Sequence, residues 1–188
     1  WAKQARGTSY DKGYSIAVDA NGNSYVTGGL SGSVTFGTTT LINSGEYDIF
    51  VAKLDINGNW LWAKKAGGTS GDFGNGIAVD ANGNSYVTGN FWSSATFGTT
   101  TLTSSGGYDI FVAKLDINGN WLWAKQAGGG AIYDYGQSIA VDANGNSYVT
   151  GYFEGGATFG TTTLNSSGSW DIFVAKLGEV NSIDLPDI

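Results

Sequence analysis

One unit recurs three times in this chain, and that repetition restricts the folds open to it more than any other feature. Trp1, Trp62 and Trp123 open the copies, at 1–61, 62–122 and 123–177; the stretch 178–188 breaks the pattern and reads as a tail or linker. Ile16–Gly28 (IAVDANGNSYVTG) returns letter for letter as Ile77–Gly89 and Ile139–Gly151. TFGTTTL returns at Thr35, Thr96 and Thr158, and DIFVAKL at Asp48, Asp109 and Asp171. A period of this size belongs to repeat architectures, where each unit hides its apolar face against a neighbour.

Each unit reads as four strands. Ser15–Asp19 and Ser24–Gly28 flank Asn21-Gly22, which predicts a hairpin whose two central residues both take positive φ. Asp48–Leu54 is nearly continuous in apolar residues apart from Lys53, and Asn57-Gly58 turns it into Trp60–Lys65. Strands apolar on both faces belong to sheets covered on both sides. No helical period occurs, and the one proline is Pro186. The expectation is an all-β chain of four-stranded antiparallel meanders, three per chain, forming β-propeller blades. A β-solenoid is the alternative, but its coils are shorter and would not carry two Asn-Gly turns each.

The residue order carries a family resemblance. Asp72-x-Gly74, IAVDANGNSYVTG, a Phe-Gly segment, Gly-x-Asp-Ile-Phe-Val-Ala-Lys-Leu and Asn-Gly-Asn-Trp-Leu-Trp together resemble the bacterial SBBP β-propeller repeat. The resemblance covers nearly all of the chain up to Leu177, with Phe36-Gly37 standing where that family often has Phe-Pro. It implies a bacterial protein that is secreted or held at the cell surface, and it brings no catalytic residue with it.

Propellers close with about four or more blades, so three are too few. Trp1–Gln4 matches a fourth strand, whereas the last unit stops after its third, at Leu177. The expected state is a half-ring in a six-bladed homodimer, or part of a larger propeller. The chain starts at Trp1 and has no Met, which is expected of a processed or excised product.

Composition removes several function classes. Hydrophobic residues make up 41% of the chain, enough for a core. A net charge of −7 with nine basic residues argues against nucleic acid. Apolar runs of only a few residues argue against membrane insertion. Without Cys or His the chain has no thiol chemistry, no thiolate metal site and no imidazole base. No cofactor is expected.

Differences between copies point to the binding face. The DANGNS and DINGNW turns do not vary between complete copies, while the connection into the first strand (such as ARGTSYDKGYS) and the one after the second strand (such as GNFWSSA) do. In an up-and-down blade those two emerge on the same side, and sites favour loops on a rigid scaffold. The candidate ligand-binding residues are Tyr10, Asp11, Asp72, Phe73, Trp92, Asp134, Tyr135, Phe153 and Glu154, with Tyr14, Phe91, Tyr133 and Tyr152 beside them. Rings beside carboxylates suit carbohydrate, whose apolar faces stack and whose hydroxyls donate. The plainer reading is that the aspartates hold their own loops and the rings pack between blades. A structural or protein-interaction module is the main expectation, with lectin-like binding as the alternative.

Two other readings are weaker. The D-x-N-G-N stretches at Asp19, Asp55, Asp80, Asp116 and Asp142 resemble calcium loops, but Gly is fourth and no bidentate Glu follows at the twelfth position. A glycoside-acting carboxylate pair drawn from Asp11, Asp72, Asp134 and Glu154 is the chemistry left to an enzyme, and nothing in the sequence differentiates those residues. The expectation is therefore no metal and no enzyme.

Overall fold

The structure, a computed structural model, describes residues 1–178. The short β1 (Arg6–Gly7) precedes a blade made of β2 (Lys12–Val18), β3 (Ser24–Leu30), β6 (Asp48–Leu54) and β7 (Trp60–Ala66), with β4 (Ser33–Phe36) and β5 (Thr39–Ile42) forming a side hairpin. The second blade is β8 (Asp72–Val79), β9 (Ser85–Phe97), β10 (Thr100–Leu115) and β11 (Trp121–Ala127). Here the side hairpin is continuous with the long β9 and β10. The third comprises β12 (Tyr135–Val141), β13 (Ser147–Phe153) and β16 (Asp171–Leu177), with a side hairpin of β14 (Gly156–Phe159) and β15 (Thr162–Asn165). Among the described residues it has no fourth strand. The tail expected at 178–188 lies outside the described residues except for Gly178.

The chain is all-β and built of antiparallel propeller blades. DIFVAKL forms the expected buried strand in the first two blades, where every one of its residues is buried, whereas in β16 only Phe173 is. Two local expectations need correction. In the Asn21-Gly22 turn only Gly22 has positive φ, at 79°. The Gly22 N–H donates to the Asp19 carbonyl, and the Asp19 N–H donates to that of Asn23, both at 3.0 Å. This is a three-residue loop, a type I turn followed by a left-handed glycine. The aspartate side chain selects it. Its Oδ1 accepts the N–H groups of Asn21 and Asn23 at 2.9 Å, and its Oδ2 accepts the Asn23 amide at 2.8 Å. The same three bonds recur at Asp55, Asp80, Asp116 and Asp142. Hydrogen bonds from Asn59 hold the Asp55 carboxyl below its usual range, and those from Asn146 do so for Asp142.

The second correction concerns TFGTTTL, which forms the side hairpins that a four-strand reading omits. Gly37, Gly98 and Gly160 take φ near +60° as the first residue of a two-residue Gly-Thr turn, a position that favours glycine. Each hairpin packs on the blade that bears it. The Phe36 ring meets Phe50 and Trp60, both at 5.1 Å, and Phe97 meets Phe111 and Trp121 likewise.

Blades join through their apolar faces. Ile49 and Val51 of the first pack with Ile77 and Val87 of the second in one core, where Tyr25, Phe91, Phe97 and Phe111 are also fully buried. Burial of each large side chain stabilises by about 2–3 kcal/mol. A tryptophan then locks the junction: Trp62 sets its ring edge-on to Tyr25 of its own blade and donates its indole N–H to the Ile117 carbonyl of the next, at 3.1 Å. The two outer faces lack this cover. Ile16 is 63% exposed where its counterpart Ile77 is 6%, and Ile172 is 81% exposed where Ile49 is fully buried.

Candidate functional site

The two variable connections meet on one side of the blades, and a buried aspartate ties them together. Asp72 opens β8, and its Oδ2 accepts the Gly68 N–H at 2.7 Å while its Oδ1 accepts the Trp92 N–H at 3.2 Å. Asp134 repeats this with the N–H groups of Gly129 (2.8 Å) and Glu154 (3.1 Å). Asp11 accepts the N–H of Ser31 at 3.1 Å. Each carboxylate therefore pins the loop entering a blade to the loop leaving its second strand. Burial pushes the Asp72 carboxyl up to about 7, and the neighbouring Asp48 carboxylate adds to the rise. Burial also raises Asp134, and lifts Asp109 to about 6.

This arrangement sorts the sequence-derived candidates. Asp72 and Asp134 are fully buried and committed to backbone amides, so a ligand at the surface does not reach them; Phe153 and Phe91 sit in the core. Tyr10 is exposed, as are Tyr14, Trp92 and Tyr133. Glu154 is half-buried at the mouth of its loop.

Phe73 and Tyr135 are drawn together with residues that the sequence reading missed. Tyr108 is the hub: its ring lies 5.2 Å from Trp92, 5.3 Å from Tyr135 and 6.5 Å from Phe73. Phe73 meets Tyr47 at 5.1 Å and Tyr14 at 6.5 Å. On the other side Tyr135 stacks on Tyr152 at 5.0 Å, and Tyr152 meets Trp170 at 5.2 Å. The result is an unbroken array of rings running across all three blades. Tyr47, Tyr108 and Trp170 each stand immediately before a DIFVAKL strand. The sequence signal was an aromatic kept at that position while its identity changed.

Beside the array lies a cavity of about 390 Å³ bounded by Tyr14, Phe73, Asn75, Asn90, Tyr135 and Gln137. Tyr14, Asn75 and Gln137 are equivalent positions of the three copies, so this cavity faces all three first strands. The Asn75 amide donates to Asn90 Oδ1 and to the Gly136 carbonyl, both at 2.9 Å, and Asn90 Nδ2 is buried without a partner. No charged side chain lines the cavity, and burial pushes the Tyr135 phenol up to about 12, so it stays neutral. Among the described residues no group of three or more acidic side chains is placed to hold a metal ion.

Blades of one sequence pattern, joined face to face with a shared loop side, define a β-propeller repeat protein. The family model described as a beta-propeller repeat, SBBP, matches residues 1–28, 61–93 and 122–152, and the chain belongs to that repeat family. It is also 30% identical over 202 residues to an uncharacterized WD repeat-containing protein of Acanthamoeba polyphaga mimivirus. That match covers 90% of this chain and 14% of the relative's length.

Proposed function

We propose that this chain is a non-enzymatic protein-interaction module of the propeller type, secreted or displayed at a cell surface, and that it works within a ring of more than three blades. The aromatic array on the variable-loop side carries the reading. Interfaces draw their affinity from Tyr and Trp anchors packed on a rigid base, and Trp92, Tyr133 and Trp170 are exposed rings braced by other rings. Three of the four carboxylates that an enzyme would draw on, Asp11, Asp72 and Asp134, are spent on loop amides, which favours binding over catalysis. In a capture experiment with a tagged chain, the Trp92→Ala/Tyr133→Ala double variant should lose a partner that a variant of the opposite hairpin turns, Asn21→Ala/Asn57→Ala, retains. The reverse pattern would overturn the assignment of the face.

The uncharged cavity favours a second reading, lectin-like binding of a neutral sugar, because amides and phenols supply both donors and acceptors beside ring faces. Glycan-array binding lost in Asn90→Ala, with the fold retained, would select it over the first.

A further inference from the structure

Among the described residues the third blade has no fourth strand, and the chain itself contains a segment that matches the last five of the seven positions of that strand in the other blades. In the first two blades the fourth strand lies against the side hairpin: Trp60 Cβ is 3.1 Å from where a side chain on Gly37 would begin, and Trp121 Cβ is 3.0 Å from that of Gly98. Among the described residues nothing lies within 4 Å of the same point on Gly160. Alongside runs a cavity of about 280 Å³ whose walls include Val149, Phe159, Phe173 and Ala175 of the third blade and Trp123 and Lys125 of the second. Val174, on the open face of β16, is 75% exposed where Val51 is fully buried. Residues 178–188, which follow β16, contain no Trp and do not repeat the fourth-strand sequence.

Trp1–Ala5 reads Trp-Ala-Lys-Gln-Ala, letter for letter the sequence of Trp123–Ala127 in β11. Within its own copy this segment makes half of a junction. The Trp1 indole N–H donates to the Ile56 carbonyl at 2.9 Å, as Trp62 does to Ile117, and the ring covers Gly58 as that of Trp62 covers Gly119. The other half is missing, for Trp1 has no tyrosine of the kind that Tyr25 gives Trp62 and Tyr86 gives Trp123. The third copy of that tyrosine, Tyr148, is exposed and has no tryptophan against it among the described residues.

Building on the reading of a ring larger than three blades, we infer that two copies associate with Trp1–Ala5 of each as the fourth strand of the other's third blade. The register follows from β10 and β11, where Ile110 faces Ala127 and Ala113 faces Ala124. In the pair of copies Ile172 faces Ala5, Ala175 faces Ala2, and Lys176 faces Trp1, which sets the Trp1 ring against Tyr148. The same approach lays Ile172 and Val174 of one copy over Ile16 and Val18 of the other, as Ile49 and Val51 lie over Ile77. Two copies together supply six blades, within the about four to eight that propellers hold.

The chain has no cysteine, so pairing can be read by crosslinking. Cα atoms directly opposite in an antiparallel pair are about 4.5–5.5 Å apart, within disulfide reach. An Ala2→Cys chain mixed with an Ala175→Cys chain should form a mixed crosslinked dimer on oxidation. Ala2→Cys with Val174→Cys, whose side chains point to opposite faces, should not. Native mass spectrometry of the unmodified chain should report a dimer, and Trp1→Ala should weaken it at least about tenfold with circular dichroism unchanged. A monomer at micromolar concentration would overturn the inference, as would a dimer that crosslinks equally at both positions. So would a double Ala2→Cys/Ala175→Cys variant that closes within one chain. The interaction-face reading is decided separately, by the Trp92 and Tyr133 variants, which lie outside this strand pairing.

Discussion

Burial of the loop-tying aspartates makes stability fall as pH rises, against the trend that most carboxylates impose. Asp72 is fully buried and accepts two backbone N–H groups. The Asp48 carboxylate adjoins it across Gly67: a Cβ there would lie 2.7 Å from Asp48 Oδ1, which has no partner, and 2.9 Å from Asp72 Oδ2. Burial disfavours the charged form of Asp72, the Asp48 carboxylate beside it adds to the rise although Lys65 pairs with its other oxygen at 2.7 Å, and the folded chain holds a proton on Asp72 up to about pH 7. An unfolded aspartate releases it near 4. The folded state therefore binds more protons between those values. Its advantage is complete below about pH 4 and is lost as pH rises through about 7. The full linkage for such a gap is about 4 kcal/mol. Asp109, raised to about 6, adds a smaller part of the same sign. Urea unfolding at fixed protein concentration between pH 5 and 8.5 should show a loss on the order of 2 kcal/mol. Asp72→Asn should be less stable at pH 5 but flatter across the range. Stability that rises with pH over this window in the wild-type chain, or an equal slope in Asp72→Asn, would refute the argument.

Two further outcomes follow from the turns. Asp80→Ala should lower the melting temperature because it strips three hydrogen bonds from its hairpin, while excess chelator should leave the wild-type melting temperature unchanged; a drop of several degrees in chelator would mean that these turns hold an ion. Gly98→Ala and Gly160→Ala share the same left-handed strain, worth about 1–2 kcal/mol, but only Gly98 faces a tryptophan. Urea unfolding should therefore find Gly98→Ala the costlier by at least about 1 kcal/mol, and equal losses would show that Trp121 gives way freely.

The strands and their order were legible in the sequence because apolar runs and Asp-x-Asn-Gly-Asn stretches mark them at fixed spacing. The turn type is not legible in Asn-Gly alone, which fits a two-residue turn equally well. The aspartate two positions earlier decides the geometry through its own hydrogen bonds. The side hairpins escaped because Thr-rich strands of four residues carry little apolar signal, although Gly-Thr between Phe36 and Thr39 is itself a turn signature. For the candidate site, variation between copies singled out two loops that the structure ties together on one side of the blades, but could not separate rings from staples. An aspartate that pins two loops and one that meets a ligand look alike in sequence. Burial distinguishes them, and it moved Asp72 and Asp134 from surface to scaffold while bringing Tyr47, Tyr108 and Trp170 forward.

The tryptophan junction reads only one unit and the next, and no side chain in it records how far along the chain it lies. Insertion or loss of one whole unit leaves every other junction intact, whereas loss of a few residues breaks one. Length change in such a chain is therefore quantised. Matching stretches at Ile16, Ile77 and Ile139 offer sites for unequal crossing-over that adds or removes complete blades. Ring size in such arrays is inherited as copy number, without any residue having to mutate.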